Sequence, residues 1–238
     1  MIEVSYIYKN TNRMMNESQI LAQWEDRFAG YWTEQQRISD GSHDPGHFRR
    51  VWQTARYIAR EEGGAADLLV LLAAAYFHDL IALPKSHPER SASSRLSAEE
   101  AHRLLERRWP EFPHDKIPGV GHAIHAHSFS AGVAAETPEA MILQDADRLE
   151  ALGAIGVARC FYTAGQMDAQ LFDPADPLAM NRPPNDRQYA LDHFQVKLFR
   201  LPALMNTRAG KKLAEANAAW MRDFAGKLCR EIDGDHTV

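Results

Sequence analysis

Apolar residues recur every three or four positions along most of the chain, the spacing that places them on one face of an α-helix. Two segments show such a face clearly, residues 17–36 and residues 43–63, and the second ends at the glycines 63–64. The apolar residues of these two faces are Leu21, Trp24, Phe28, Trp32, Val51, Trp52, Ala55, Ile58 and Ala59. Between residues 65 and 81 the chain is apolar on nearly every side, which predicts a helix buried in the core.

Capping signals predict where later helices begin. Ser97 followed by Glu100 is a capping box, so we expect a helix to start at Ser97. Thr137 and Pro138 are the residues favoured at the cap and first position of a helix, and the long helix that follows is expected to bend at Gly153. The later predicted helices cover residues 96–109, 114–128, 137–165, 186–201 and 208–228.

The pattern predicts an all-α protein, because no segment alternates apolar and polar residues as a half-buried strand does. Residues 165–185 contain four prolines and are expected to form a long surface loop. We expect a single-domain helical bundle over residues 17–232, preceded by a flexible N-terminal extension over residues 1–16.

Composition narrows the class of protein. Of 238 residues, 45% are hydrophobic and 25% are charged, as in soluble globular proteins. The formal net charge of −5 argues against a nucleic acid polymer as partner. The only cysteines, Cys160 and Cys229, exclude a disulfide framework and a cysteine-based zinc site. With no signal peptide and no apolar run of the roughly 18–20 residues that span a membrane, the expected location is the cytoplasm.

The buried segment ends in "YFHDL", which places His78 and Asp79 where a charge is costly to bury without a partner. His47 opens another helix, and Asp145 and Asp147 lie among apolar residues in a third. Each of these residues alone has an ordinary explanation, such as a surface histidine or a carboxylate paired with arginine. Together they favour one shared site with one divalent ion (Mn, Mg, Co, Ni, Fe or Zn) held by nitrogen and oxygen ligands. Coordination positions left for water and substrate would make the site catalytic.

The order His47, His78–Asp79, Asp147 resembles the motif of the HD-domain metal-dependent phosphohydrolases. The segments "HFRRVWQTA", "AIHAHSFS", "QDADRLEALGAIGVAR", "DHFQVKL" and "NTRAGKKLA" are similar to a compact bacterial subgroup, the YedJ-like proteins, and the similarity covers roughly residues 17–230. The resemblance implies a helical bundle of the HD-domain type. Its metal-site core spans about residues 40–160, with the C-terminal helices packed on it.

The resemblance also implies a ligand set of His47, His78 and Asp79, with Asp147 as the last ligand because it lies in an "ADRL" context. Asp145 then either supports a metal ligand from behind or contacts the substrate. A purely structural role, with a backbone N–H or an arginine as its partner, is an equal alternative. His125 and His127 correspond to histidines that hold a second metal in longer relatives. Here we expect one ion, with His127 contacting phosphate or water.

Basic residues around this motif fit the binding of phosphate, because phosphoryl transfer develops negative charge that cations stabilise. Lys85, Arg90 and Ser94 follow the HD pair on a polar segment. The alternative interpretation is that this segment is an ordinary solvated loop. We expect Lys85 and Arg90 to bind the leaving phosphate and Asp79 to hold the attacking water as well as the metal. The expected substrate contacts are Arg50, Ser94, His127, Asp145 and Arg148.

The function expected from the residues and the resemblance is metal-dependent hydrolysis of a small nucleotide. The reaction we favour converts a nucleoside triphosphate into a monophosphate and pyrophosphate. The alternatives are a nucleoside monophosphatase, a cyclic-nucleotide phosphodiesterase, and a nucleotide sensor that does not catalyse. The expected partner is a small phosphorylated substrate rather than a membrane, and the sequence leaves the oligomeric state open, with a homodimer as one candidate.

Overall fold

The computed structural model describes residues 2–35, 45–83, 87 and 89–235, with side chains from Glu17 onward except those of Pro45 and Phe129. The described residues form nine α-helices and four short 3-10 turns. The helices are α1 (Ile2–Gln35), α2 (Pro45–Glu61), α3 (Leu68–Phe77), α4 (Ser93–Arg108), α5 (Ile117–His127), α6 (Pro138–Leu149), α7 (Gly153–Gln166), α8 (Asp192–Val196) and α9 (Arg208–Ile232). The 3-10 turns are Arg90–Ala92, His114–Lys116, Phe129–Ala131 and Leu198–Leu204.

The all-α prediction is confirmed. Among the described residues no strand occurs, and the single extended pairing is an isolated bridge between Gln170 and Tyr189. Across the same residues, no helix combines the length and the apolar character that crossing a membrane requires.

Helix α3 lies at the centre of the bundle and packs against α1, α2, α5 and α6. Every residue from Leu69 to Phe77 is buried, which explains why this helix has no polar face. Asp67 caps its start, because the Asp67 side chain accepts hydrogen bonds from the backbone N–H groups of Leu69 (3.0 Å) and Val70 (3.2 Å). The helix ends at Phe77, so His78 and Asp79 follow directly at a helix end, where His78 is fully buried and Asp79 is partly exposed.

Helix α1 packs its predicted apolar face on α3 through Trp24, Phe28 and Trp32, which are all buried. The indole of Trp32 donates to the carbonyl of Tyr76 at 2.9 Å and so joins α1 to the end of α3. Residues 2–16, which we expected to form an extension, are helical and continuous with the rest of α1. Their flexibility stays a prediction.

Helix α4 corrects the predicted start at Ser97, because it begins four residues earlier, at Ser93. Ser97 is instead a fully buried interior residue whose hydroxyl accepts from the N–H of Ile81 (2.9 Å) and donates to its carbonyl (3.2 Å). The capping-box prediction was wrong because the hydroxyl binds the segment after the HD pair rather than its own helix. This contact fixes the backbone two residues beyond Asp79.

The predicted helix over residues 137–165 is two helices, α6 and α7, rather than one helix with a bend. Gly153 has a φ of +66°, a left-handed conformation that glycine adopts without strain, and α7 starts there in a new direction. The cap predicted at Thr137 is confirmed, since its hydroxyl accepts from the N–H of Ala140 at 3.2 Å.

The segment predicted as a helix over residues 186–201 contains only α8 and the 3-10 turn Leu198–Leu204. Its apolar residues are nevertheless buried as expected: Leu191, Phe194, Leu198 and Leu201. The preceding Pro-rich segment is held by Arg182, which binds both carboxylate oxygens of Asp192 at 2.6 and 2.9 Å. Helix α9 then packs on α2, α6 and α7.

Candidate metal centre

Four helices bring three imidazoles and two carboxylates to one point. His47 lies in the first turn of α2, His78 and Asp79 follow α3, His127 ends α5, and Asp147 lies on α6. The Nε2 atoms of His47 and His78 are 3.1 Å apart. Asp147 Oδ1 lies 3.6 Å from His47 Nε2 and 3.7 Å from His78 Nε2. Asp79 approaches with Oδ2 at 3.7 Å from His78 Nε2 and Oδ1 at 3.7 Å from His127 Nε2.

The centre is buried on its histidine side and open on its carboxylate side. The side chains of His47 and His78 are fully buried, whereas those of Asp79 and Asp147 are 25% and 31% exposed. The centre is therefore accessible from outside past the two carboxylates.

Each histidine turns Nε2 toward the centre because an acceptor holds its Nδ1. The Nδ1 of His78 is 2.9 Å from the carbonyl oxygen of Ala75, and that of His127 is 2.6 Å from the carbonyl oxygen of Ile124. The Nδ1 of His47 is 3.2 Å from Oε2 of Glu150. An Nδ1–H that donates outward leaves the Nε2 lone pair for a metal, the arrangement common among metal-binding histidines.

The donor set fits a divalent cation. Two Nε2 atoms that face each other at 3.1 Å need a proton or a metal ion between them. In an octahedral site with bonds of about 2.1 Å, neighbouring donor atoms are about 3.0 Å apart, close to this separation. Among the described residues, two overlapping groups have ligand atoms close enough to hold an ion. They are His47 with His78 and Asp79, and His78 with His127 and Asp147. His125 is in neither.

The charges at the centre favour a cation as well. Burial lowers the pKa of His47 and of His127, so both rings are neutral at pH 7. Burial also opposes the charged form of His78, but the carboxylates of Asp79 and Asp147 outweigh it and raise the pKa of His78 to about 9. Burial alone would raise the pKa of both aspartates, and the histidines reverse this and hold it below the usual range. A metal ion would take the place of the His78 proton between these carboxylates.

Glu150 is the functional residue that the sequence analysis missed. Its side chain is 8% exposed, and it contacts Arg50 (Nη2–Oε2 2.8 Å) as well as His47. A signal was present, because Glu150 is an acidic residue in the otherwise apolar "LEALG", three positions after Asp147. Arg50, expected at the substrate, is paired with this carboxylate in the structure.

Asp145 points away from the centre although it lies only two residues from Asp147. Its fully buried carboxylate accepts from the N–H groups of Asn206 (2.8 Å) and Thr207 (2.8 Å) and from the Thr207 hydroxyl (2.8 Å). This is the N–H partner that the sequence left open as the alternative to a substrate contact. Arg148 donates to the carbonyl of Leu204, so Asp145 joins α6 to the start of α9 and Arg148 joins α6 to the end of the 3-10 turn Leu198–Leu204.

The expected phosphate contacts fall in three different places. Arg90 is exposed in the 3-10 turn Arg90–Ala92, which packs against the 3-10 turn Phe129–Ala131 that follows His127. Ser94 is only 2% exposed, so the direct phosphate contact predicted for its hydroxyl does not fit its position. Lys85 lies outside the described residues.

The fold and the site define the chain as an α-helical protein with a cluster of histidines and carboxylates that could hold a metal ion. Residues 46–152 match the family model of the HD domain. The protein YpgQ of Bacillus subtilis (strain 168), described as uncharacterized, is 35% identical over 196 residues, 81% of this chain and 85% of YpgQ. The chain belongs to the HD domain family.

Two solved structures are similar over nearly their whole length. The crystal structure of B. subtilis YpgQ in complex with ADP has a TM-score of 0.66 and 31% identity, and covers 89% of this chain and 99% of its own. An HD-superfamily hydrolase from Bacillus thuringiensis has a TM-score of 0.67 and 28% identity, and covers 90% of this chain and 98% of its own. These neighbours and the donor set support a metal-dependent hydrolase.

Proposed function

We propose that this protein is a metal-dependent phosphohydrolase of a small nucleotide, which cleaves a nucleoside triphosphate into a monophosphate and pyrophosphate. The observation that carries the proposal is the close approach of two overlapping ligand groups that share His78, in which both carboxylates are partly exposed. The nucleotide class is supported by the YpgQ structure with ADP, a molecule with a phosphoanhydride bond.

His47, His78, Asp79 and Asp147 would hold the ion. A divalent ion in such a site polarises a phosphoryl oxygen and makes a bound water more acidic. The four side chains leave the exposed side of the centre to a substrate phosphate. The Nε2 atom of His127 is 3.7 Å from Asp79 Oδ1, so it lies beside the proposed ion site. In this position it contacts a water or a phosphate oxygen.

Asp79 is the residue we assign to orienting the attacking water. Its carboxylate has one oxygen toward His78 and the other toward His127, and its side chain is 25% exposed. One carboxylate oxygen can therefore serve as a ligand while the other accepts a hydrogen bond from water. A water held by Asp79 in this way is positioned for attack, which is what phosphoryl transfer needs.

Arg90 supplies positive charge at the mouth of the centre. The turn that carries Arg90 packs against the turn that follows His127, and Arg90 is exposed, which supports its assignment to the incoming phosphates. An exposed arginine binds two phosphate oxygens with parallel hydrogen bonds. Lys85, five residues earlier, is assigned the same role from the sequence.

A screen of nucleotides against metals tests the proposal. The purified protein is incubated with ribo- and deoxyribonucleoside triphosphates plus Mn²⁺, Mg²⁺, Co²⁺ or Ni²⁺, and the products are separated and identified. We expect a monophosphate and pyrophosphate, no turnover with a chelator, and no turnover in Asp79→Asn, which keeps the shape of the side chain. Orthophosphate from monophosphates would show a nucleotidase, and opening of a cyclic nucleotide would show a phosphodiesterase. Nucleotide binding without turnover under every metal would show a sensor.

A further inference from the structure

His47 differs from the other two histidines of the centre in the group behind its ring. His78 and His127 direct Nδ1 at backbone carbonyl oxygens, which are neutral and belong to the helix itself. His47 directs Nδ1 at the carboxylate of Glu150, 103 residues away in sequence. A carboxylate holds the proton on Nδ1 more strongly than a carbonyl does, and its charge makes the opposite nitrogen a better metal ligand.

Glu150 is held in turn by two arginines from different helices. The Arg50 guanidinium contacts Oε2 through Nη2 at 2.8 Å and through Nε at 2.9 Å. Arg159 Nη1, from α7, lies 3.6 Å from the same oxygen. The Glu150 side chain is only 8% exposed. The guanidinium groups of Arg50 and Arg159 hold its carboxylate against the His47 ring.

We propose that Glu150 is a positioning residue that orients His47 for the metal, and that Arg50 acts through Glu150 rather than on the substrate. The inference rests on the metal centre of the proposed function but not on the reaction assigned to it. Arg50 and His47 lie one turn apart on α2 and contact the same carboxylate, so Glu150 ties the first turn of α2 to the end of α6. The same contact sets the direction of the His47 lone pair.

Titration of the metal-free, full-length protein with Mn²⁺ alone tests the role of Glu150. Free Mn²⁺ is measured by its electron paramagnetic resonance signal, in the wild type, Glu150→Gln and Glu150→Asp. We expect Glu150→Gln to raise the Mn²⁺ dissociation constant by about 10- to 100-fold, the usual effect of removing such an outer partner, and Glu150→Asp to recover part of it. Wild-type affinity in Glu150→Gln would overturn the proposal, whether or not the protein turns over nucleotides.

A double-mutant cycle separates an effect through His47 from a general loss of structure. In a His47→Ala background, Glu150→Gln should change the remaining Mn²⁺ affinity by less than twofold, because the ring that Glu150 orients is gone. A full additional loss in that background would show that Glu150 acts independently of His47 and would contradict the inference. The visible absorption of bound Co²⁺ adds a direct view of the ligand geometry, which we expect Glu150→Gln to alter.

Arg50 provides a second, independent variant in case Glu150→Gln does not fold. We expect Arg50→Gln to weaken Mn²⁺ binding several-fold, while Arg49→Gln, a change at the exposed neighbouring position, leaves the Mn²⁺ affinity unchanged. Wild-type Mn²⁺ affinity in Arg50→Gln, together with a raised KM for the nucleotide, would show that Arg50 contacts the substrate and would overturn this part of the proposal. Absence of nucleotide turnover in the wild type would instead count against the proposed function and leave the metal result standing.

Discussion

His78 carries the densest set of contacts at the centre. Its Nε2 is within 3.1 to 3.7 Å of His47, Asp79 and Asp147, and its Nδ1 contacts a backbone carbonyl at the end of α3. A residue in this position contacts both the end of α3 and the proposed ion site. Its neighbour Asp79 lies on the open side of the centre, with a side chain that is 25% exposed.

Removing this pair should abolish metal binding. We expect the double variant His78→Ala, Asp79→Ala to retain no stoichiometric metal after purification, because it loses two of the four proposed ligands. Elemental analysis of wild type and variant, purified in parallel with the same metal in the medium, is the measurement. Exposed His102 and Glu106, an ion pair on α4, supply the control variant His102→Ala, Glu106→Ala. Equal metal content in both double variants would contradict the ligand assignment.

At the scale of single residues, the sequence identifies functional candidates whose burial is costly. It misses residues whose role depends on partners that are distant in sequence. His78 and Asp79 stood out because a buried helix rarely ends in charged groups without a reason, whereas His47, which alone would be taken for a surface residue, was identified through the shared pattern. Choosing Asp147 over Asp145 needed the family resemblance, since both are acidic and lie two residues apart. Glu150 was missed because its partner His47 is brought to it only by the packing of α2 on α6.

At the scale of the elements, the turn between α6 and α7 depends on Gly153. A Cβ there would lie 3.1 Å from the Asn217 side chain on α9, in a left-handed conformation that costs other residues about 1–2 kcal/mol. We expect Gly153→Ala to lower the free energy of unfolding by at least this amount in urea denaturation. Gly165→Ala, in the same helix and with open space around its Cβ, is the matched control and should be neutral or stabilising. An equal effect of both changes would count against the role of Gly153.

The start of α3 should respond to the loss of its cap and to acid. Asp67→Ala removes the acceptor of two N–H groups and should cost about 0.5–2 kcal/mol, whereas Asp67→Asn keeps a cap and should cost less. Burial raises the pKa of Asp67, but the Lys116 ammonium and the capped N–H groups outweigh it and lower the pKa overall. Because the pKa is lower in the folded state, the carboxylate stabilises the fold above its unfolded pKa of about 3.9, and this contribution is lost as the pH falls below it.

Thermal unfolding of wild type and both Asp67 variants, at pH 7 and pH 3, measures these effects. The gap between wild type and Asp67→Asn should shrink at pH 3, since the wild-type carboxylate is then becoming protonated. A gap that stays constant across this range would show that the charge of Asp67 does not contribute.

Helix existence was predictable, whereas helix ends were not, because ends depend on tertiary contacts. Ser97 fits a capping box in sequence, yet its hydroxyl binds the backbone of Ile81. The segment 186–201 has helical spacing, yet Asp192 accepts from Arg182 and from the N–H of Asn185, which ties the chain into a compact turn before α8. The local sequence pattern alone identifies neither the partner of Ser97 nor the partners of Asp192.

At the scale of the whole molecule, the centre joins four helices that the chain presents at widely spaced positions, from residue 47 to residue 147. A metal that binds only the folded protein stabilises it by RT ln(1 + [L]/Kd), about 2.7 kcal/mol at 100 times the dissociation constant. We therefore expect Mn²⁺ to raise the Tm of the metal-free protein by several degrees. The His78→Ala, Asp79→Ala variant should show no such increase in the same calorimetric scan, and an equal increase would place the metal elsewhere.

The overall class of the fold followed from the sequence, since an all-helical bundle requires only the period of its apolar residues. The arrangement of the helices did not follow, because the apolar face of an amphipathic helix does not specify which other helix it packs against. The apolar sequence of α3 was the exception: a helix without a polar face has its place at the centre.

The contact between Asp145 and the start of α9 also implies an order of folding steps during synthesis. During synthesis every ligand of the centre has been made once residue 147 is joined, but the backbone N–H of Asn206 follows Asp145 by 61 residues. At about 5–20 residues per second, ribosomes make that stretch in roughly 3 to 12 s. Until then Asp145 lacks the N–H partners that Asn206 and Thr207 supply, so we expect α6 to pack fully only after both residues have been made. We therefore expect the ligands of the centre to be fixed in place well after the last of them has been synthesised.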